Sequence, residues 1–163
     1  MTHKYPETCR MALFAGSFNP FTTGHASVVE RALPLFDRII IAIGVNASKP
    51  SETSVQERID AIASLYRNLP EGRVEVVAYH DELTVDLAAR LGAGWLLRGV
   101  RSAKDFEYER DLADINRKLS GIETLLLYTL PELSCVSSSM VRELESYGHD
   151  VSAFLPTPLK LKK

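Results

Sequence analysis

"MALFAGSFNPFTTGHASVVERAL", residues 11–33, joins three kinds of sequence in one short passage. "MALFA" (11–15) is an apolar run short enough for a buried strand. "HASVVERALPLF" (25–36) then places Val28, Val29, Ala32 and Phe36 at helical spacing on one face, with Pro34 expected to end or distort its last turn. The corner between them, "GSFNPFTTGH", carries Gly16, Gly24 and a histidine in the first helical turn. Glycines let backbone approach a ligand, and the free N–H groups of a first turn attract anions. Taken alone, the corner equally fits a strand–turn–helix junction with an incidental histidine.

The same alternation continues to the end of the chain. "RIIIAIGV" (38–45) has the continuous β-branched pattern of a central parallel strand covered on both faces. "SVQE" (54–57) fits a capping box ahead of a helix carrying Ile59, Ile62 and Leu65. Strands are expected at 73–79, 95–99 and 123–129, with helices at 84–92, 104–121 and 140–148. Strand and helix in turn, five times, imply one α/β domain: an open, doubly wound, five-stranded parallel sheet with right-handed crossovers. Residues 1–10 are read as a flexible N-terminal extension and residues 11–163 as the domain.

Composition narrows the class. The chain is 163 residues long, 45% apolar and 25% charged, which suits one soluble domain with a core of its own. A net charge of −2 gives a nucleic-acid partner no support. Apolar runs such as Ile39 to Val45 are far too short to span a membrane. The first ten residues lack a signal-peptide core, and Cys9 and Cys135 stand far apart outside any CxxC or His/Cys cluster. A cytoplasmic protein without a protein-built metal site is expected.

In doubly wound sheets ligands bind beyond the carboxyl ends of the strands. Polar clusters fall at four such ends: "GSFNPFTTGH", "NASK", "RGVRSAKDFEYE" and "SCVSSS". The first is neither GxxxxGK[ST] nor GxGxxG. Arg98 and Arg101 straddle Gly99, and two guanidinium forks there suit a polyphosphate. A salt-bridge network with Asp105, Glu107 or Glu109 is the lesser alternative. The serines before residue 140 offer hydroxyls and amides, or simply a helix cap. Lys49 alone has the look of a solvated lysine.

Together, "GSFNPFTTGH", "RGVRSAKDFEYE", "LADINRKL" and "SCVSSSMVRE" resemble bacterial phosphopantetheine adenylyltransferases, of the nucleotidylyltransferase superfamily marked by a [TH]xGH motif. The resemblance runs from about Met11 to Pro156, and the arginine–DFEYE block carries the subfamily assignment. It implies a Rossmann-like nucleotidylyltransferase fold and adenylyl transfer from ATP to 4′-phosphopantetheine, giving dephospho-coenzyme A and pyrophosphate in coenzyme A synthesis. It also implies Mg²⁺ accompanying ATP, a homohexamer, and coenzyme A as a candidate inhibitor. Asn19 replaces the family's usual aspartate. "GSFNP" is typical of nicotinate mononucleotide adenylyltransferases, the alternative reading, but those generally carry HxGH and an "ISST" ending.

The resemblance assigns roles position by position. His25, Lys49 and Arg101 would carry catalysis. Gly16, Ser17, Phe18, His25, Arg101, Glu109, Ser137, Ser138 and Ser139 would bind ATP. Ser17, Lys49, Leu83, Thr84, Arg98, Tyr108 and Asn116 would bind the acceptor, Ser17 standing where threonine is usual. "NASKPS" has one lysine where the family often has two, in a loop one residue shorter. The acceptor phosphate is already ionised at neutral pH, so the chemistry asks for positioning and charge cancellation rather than a general base. On this reading His25→Ala leaves folding intact, and replacing Arg98 or Arg101 by alanine changes stability by no more than about 1 kcal/mol, as for exposed ion pairs.

Overall fold

The computed structural model describes residues 9–45 and 54–160. Five strands and five α-helices alternate through them: β1 (Met11–Gly16), α1 (Thr23–Ala32), β2 (Arg38–Gly44), α2 (Val55–Tyr66), β3 (Val74–Tyr79), α3 (Thr84–Leu91), β4 (Trp95–Val100), α4 (Ala103–Ser120), β5 (Glu123–Tyr128) and α5 (Ser138–Ser146). All paired strands are parallel, in the order β3-β2-β1-β4-β5. This is the doubly wound sheet that the alternation predicts. Of the expected extension, residues 1–8 lie outside the described residues. Arg10 is tied to Asp37 through its amide at 2.8 Å and its guanidinium at 2.9 and 3.2 Å.

Helix boundaries follow the caps. The structure opens α1 at Thr23, two residues before the expected start, because Thr22 takes the extended N-cap conformation. The helix stops at Ala32, just ahead of Pro34, whose ring clashes with the carbonyl four residues back. Likewise α5 begins at Ser138, because the Ser137 hydroxyl accepts the Met140 amide at 3.1 Å. The capping box at Ser54 and Glu57 is present as the sequence implies.

The sheet separates two apolar layers. Ala12, Phe14, Ile39, Ile41 and Ile43 pack with Val28, Val29 and Ala32 of α1 and Ile62 and Leu65 of α2. Leu13, Ala15, Ile40, Ala42 and Leu96 point the other way, towards Val85, Leu87 and Ala88 of α3. Successive strand side chains alternate faces, so one apolar run feeds both layers.

One seam in the sheet differs from the rest. β1 pairs with β2 from Met11–Arg38 to Gly16–Ile43. With β4 it pairs only at Ala12–Trp95 and Leu13–Leu96. Beyond Leu13 the two strands part towards their carboxyl ends, where the chain order also reverses direction. Helix α1 lies over that opening. A Cβ on Gly99 would stand 2.9 Å from Val28 Cγ2, so the glycine sets how closely α1 approaches β4. Gly99→Ala should therefore cost about 1–3 kcal/mol by overpacking, and adding Val28→Ala should recover part of it. Denaturant unfolding of the two single variants and the double variant measures this coupling.

Candidate active site

A cavity of about 410 Å³ opens at the carboxyl ends of β1 and β4. Its walls include Gly16, Ser17, Phe18, Gly24, His25, Arg98, Arg101, Tyr108, Glu109 and Ser137 to Ser139. A narrower, mostly apolar groove of about 210 Å³ runs on the face of α3 and α4, lined by Leu83, Thr84, Leu112, Ile115 and Asn116 among others. The two spaces share Ala15 and Arg98. The structure thus brings together every residue of the sequence-based site except Lys49, which lies outside the described residues. Tyr108 stands in the polar cavity, while Asn116 lies in the groove.

His25 is the third residue of α1. The Thr22 amide donates to its Nδ1 at 3.0 Å. A nitrogen that accepts carries no proton, so the neutral ring keeps its N–H on Nε2. The ring packs edge-on to Phe18 at 5.1 Å and beside Phe21 at 5.3 Å, with Phe14 at 6.3 Å. Burial, then the positive charges of Arg101 and Arg98, lower its pKa from 6.5 to about 4. His25 is therefore an uncharged donor throughout the neutral range.

The loop that delivers this ring is bound at several points. Phe18 has φ 45°, a left-handed conformation unusual for a side chain of its size, and its ring is buried. A Cβ on Gly16 would meet that ring at 2.9 Å, so glycine is required for the ring to fold back beneath the loop. The Asn19–Pro20 peptide is cis. Ser138 Oγ donates to Pro20 O at 2.8 Å, and Arg142 donates to Asn19 O. Arg58 Nη1 donates to Ser17 O at 2.7 Å. The hydroxyls of Ser137 and Ser138 are thus engaged within the protein. Arg58 belongs to no motif noticed in the sequence, and Arg142 falls inside the "SCVSSSMVRE" stretch but was given no role there; they bond to residues 41 and 123 positions away.

Both arginines of the "RGVR" segment are paired. Arg98 Nε and Nη2 grip Glu109 in a fork at 2.8 and 2.6 Å, and Nη1 donates to Ala15 O at 2.6 Å. This last bond crosses the opening where β1 and β4 have stopped pairing. Burial opposes the Arg98 charge, yet bonding to Glu109 outweighs it and raises the pKa further. Arg101 sits nearer the solvent, with Nε 3.1 Å from Asp105, whose own amide is capped by Ser102. The two arginines that the sequence offered to a polyphosphate are thus held in the salt-bridge network that it also allowed.

Known proteins resemble this chain over most of its length. A cytidylyltransferase-like family model matches residues 13–144. A phosphopantetheine adenylyltransferase of Bacteroides thetaiotaomicron is 51% identical over 152 residues, 93% of this chain and 99% of that protein. One of Porphyromonas gingivalis is 56% identical over 146 residues, 90% of this chain and 94% of the other. The chain belongs to the phosphopantetheine adenylyltransferase family. The fold is shared more widely. A bifunctional NMN adenylyltransferase/ADP ribose pyrophosphatase of Francisella tularensis superposes with TM-score 0.68 at 15% identity, over 91% of this chain and 45% of that one. A lipopolysaccharide core biosynthesis protein of Thermoplasma volcanium does so with TM-score 0.55 at 14% identity, over 76% of this chain and 98% of the other.

For this family member the pairing of Arg98 corrects one expectation. Removing a guanidinium that faces the buried Glu109 leaves a carboxylate without its partner. Arg98→Ala should cost about 3 kcal/mol or more, whereas Arg101→Ala should stay within about 1 kcal/mol, because the Arg101–Asp105 pair is much more exposed. Denaturant unfolding without ligand distinguishes the two. His25 supplies a second test. Its folded pKa lies below its ordinary one, so its contribution to stability is full above pH 6.5 and is lost as pH falls from there towards 4. Imidazole signals followed by NMR should titrate near pH 4 in the free protein, and upward of that once a polyphosphate is bound.

Proposed function

We propose that this protein transfers the adenylyl group of ATP to 4′-phosphopantetheine, releasing pyrophosphate and dephospho-coenzyme A. The observation that carries the reading is the junction at Arg98. A cavity rich in donors for a polyphosphate meets, at one guanidinium, an apolar groove suited to a long arm with a phosphate at its end. The names and the 51% and 56% identities of the two family relatives support the same substrates.

An oxygen of the acceptor phosphate attacks the α-phosphorus of ATP in line. The new P–O bond forms as the bond from the α-phosphorus to the bridging oxygen breaks, and pyrophosphate departs with that electron pair. The nucleophile is already an anion, so the protein's work is to hold it close and to offset developing charge. His25 Nε2 supplies an N–H without adding a proton that could be lost. The first turns of α1 and α5 present amides at the same cavity, where helix dipoles favour phosphate. Arg101 can exchange its exposed Asp105 contact for a phosphate oxygen. Ser17, Phe18, Gly16 and Glu109 line the ATP side, and Leu83, Thr84 and Asn116 the acceptor side. Lys49 is proposed to reach the reacting phosphates.

Mg²⁺ is proposed to arrive with ATP, held by phosphate oxygens and water. Among the described residues no group of three or more His, Cys, Asp or Glu converges to hold it, and Asp105 and Glu109 are occupied by arginines. Assembly into a homohexamer is proposed as well. Tyr128 and Tyr147 are 68 and 77% exposed and line neither ligand space, surface that neighbouring copies would cover. Coenzyme A shares the acceptor's arm and is proposed to compete for the groove. Both cysteines are free, which supports a reducing, cytoplasmic setting.

A pyrophosphate-release assay tests the reading. Turnover is expected with ATP and 4′-phosphopantetheine, and little with dephosphorylated pantetheine or nicotinate mononucleotide. Comparable rates with either of these would overturn the acceptor assignment. His25→Ala should lower kcat by about 10²–10³, some 3–4 kcal/mol of transition-state stabilisation. Its ring packs against three phenylalanines, so the variant should also lose about 2 kcal/mol of stability. That cost revises the expectation of unchanged folding.

A further inference from the structure

The loop between β1 and α1 is held by its carbonyl oxygens. Those of Asn19 and Pro20 accept from Arg142 and Ser138 of α5, and that of Ser17 accepts from Arg58 of α2. Arg58 is set apart by its burial. It is 8% exposed, and its Nε is buried without a hydrogen-bond partner among the described residues. Keeping a guanidinium out of water is unfavourable unless its hydrogen bonds offset the lost hydration. The bond it makes, at 2.7 Å from a charged donor, is of the strong kind.

What this bond secures follows from the next residue. Ser17 leads directly into Phe18, whose left-handed backbone is unfavourable for an aromatic side chain and persists only where its surroundings enforce it. The Phe18 ring in turn stands edge-on against the His25 imidazole. A donor on the Ser17 carbonyl fixes the peptide plane that joins Ser17 to Phe18, and so the ring on which His25 rests. It also offsets the negative end of a carbonyl dipole close to where phosphates are to bind.

We propose that Arg58 is a positioning residue for adenylyl transfer, acting through the Ser17 carbonyl and Phe18 to set the imidazole of His25. The inference rests on the functional reading above. A purely structural arginine would hold α2 against the loop and affect only the fraction of molecules that fold.

Arg58→Met keeps the apolar stem and removes the donors, and Arg58→Lys retains a charge with a different reach. Activity is measured per folded molecule, with the folded fraction taken from calorimetric unfolding. His25 imidazole protons, which sense the Phe18 ring, are followed by NMR. Arg58→Met should lower kcat about tenfold to hundredfold per folded molecule and shift the His25 signals. Arg58→Lys should fall between it and wild type in both. If Arg58→Met keeps kcat within about twofold of wild type, or leaves the His25 signals in place, Arg58 serves packing alone and the proposal fails. Should Arg58→Met not fold, Arg58→Lys decides. Lowered kcat with shifted signals supports the proposal, and wild-type values of both overturn it. A wild-type protein that releases no pyrophosphate defeats the functional reading instead. The His25 signals, and ATP affinity by calorimetry, then still report whether Arg58 sets the ring.

Discussion

The parting of β1 from β4 is the constraint on which the rest of the site depends. Elsewhere in the sheet neighbouring strands pair along their length, and a continuous ladder leaves no room for a ligand. Here pairing ends at Leu13–Leu96, and three things fill the gap. Gly99 admits α1, whose first turn carries His25 to the mouth of the opening. Arg98 spans the gap to the Ala15 carbonyl. The remaining space is the cavity itself. Ligand sites at such reversals of strand order are general in doubly wound sheets; in this chain the mechanism can be named down to single side chains.

A cavity proposed to take phosphate must hold positive charge before any phosphate arrives. Two solutions operate side by side. His25 avoids the problem by being neutral, since burial and the nearby arginines keep the proton off Nδ1. Arg98 accepts the charge and balances it with Glu109. The fork between them is nearly buried, so it is both a structural tie and a store of oriented donors. Arg101, nearer the solvent, has a looser partner in Asp105 and can give it up at less cost.

Much of this was legible in the sequence because it is local. The alternation of apolar strand and amphipathic helix implied the sheet, and Val28, Val29 and Ala32 are buried as their spacing suggested, while Phe36 is buried beyond the end of the helix rather than on its face. Three of the clusters at strand ends did converge; the fourth, "NASK", lies outside the described residues. Helix starts were misplaced by two residues at α1 and α5, because Thr22 and Ser137 act as caps ahead of the apolar pattern. What pattern could not show was partnership across distance. Three carboxylates near Arg98 and Arg101 were equivalent on paper, and only the turn of α4 selected Glu109 for one and Asp105 for the other. Arg58 belongs to no motif, and Arg142, though inside "SCVSSSMVRE", carries no sign there of its partner; both reach the first loop from helices far along the chain.

Sharing Arg98 between a polar cavity and an apolar groove also shapes what could block this protein. Two weak compounds, one anionic and one greasy, would each occupy a separate compartment. Joined by a tether, the second would bind as though present at a millimolar local concentration, and avidity would exceed either affinity. The tether has to pass the Arg98 guanidinium, where Ala15 and Arg98 border both spaces. A linker that carries a hydrogen-bond acceptor at that bend would suit the passage, and a wholly hydrocarbon one would leave the buried charge facing oil.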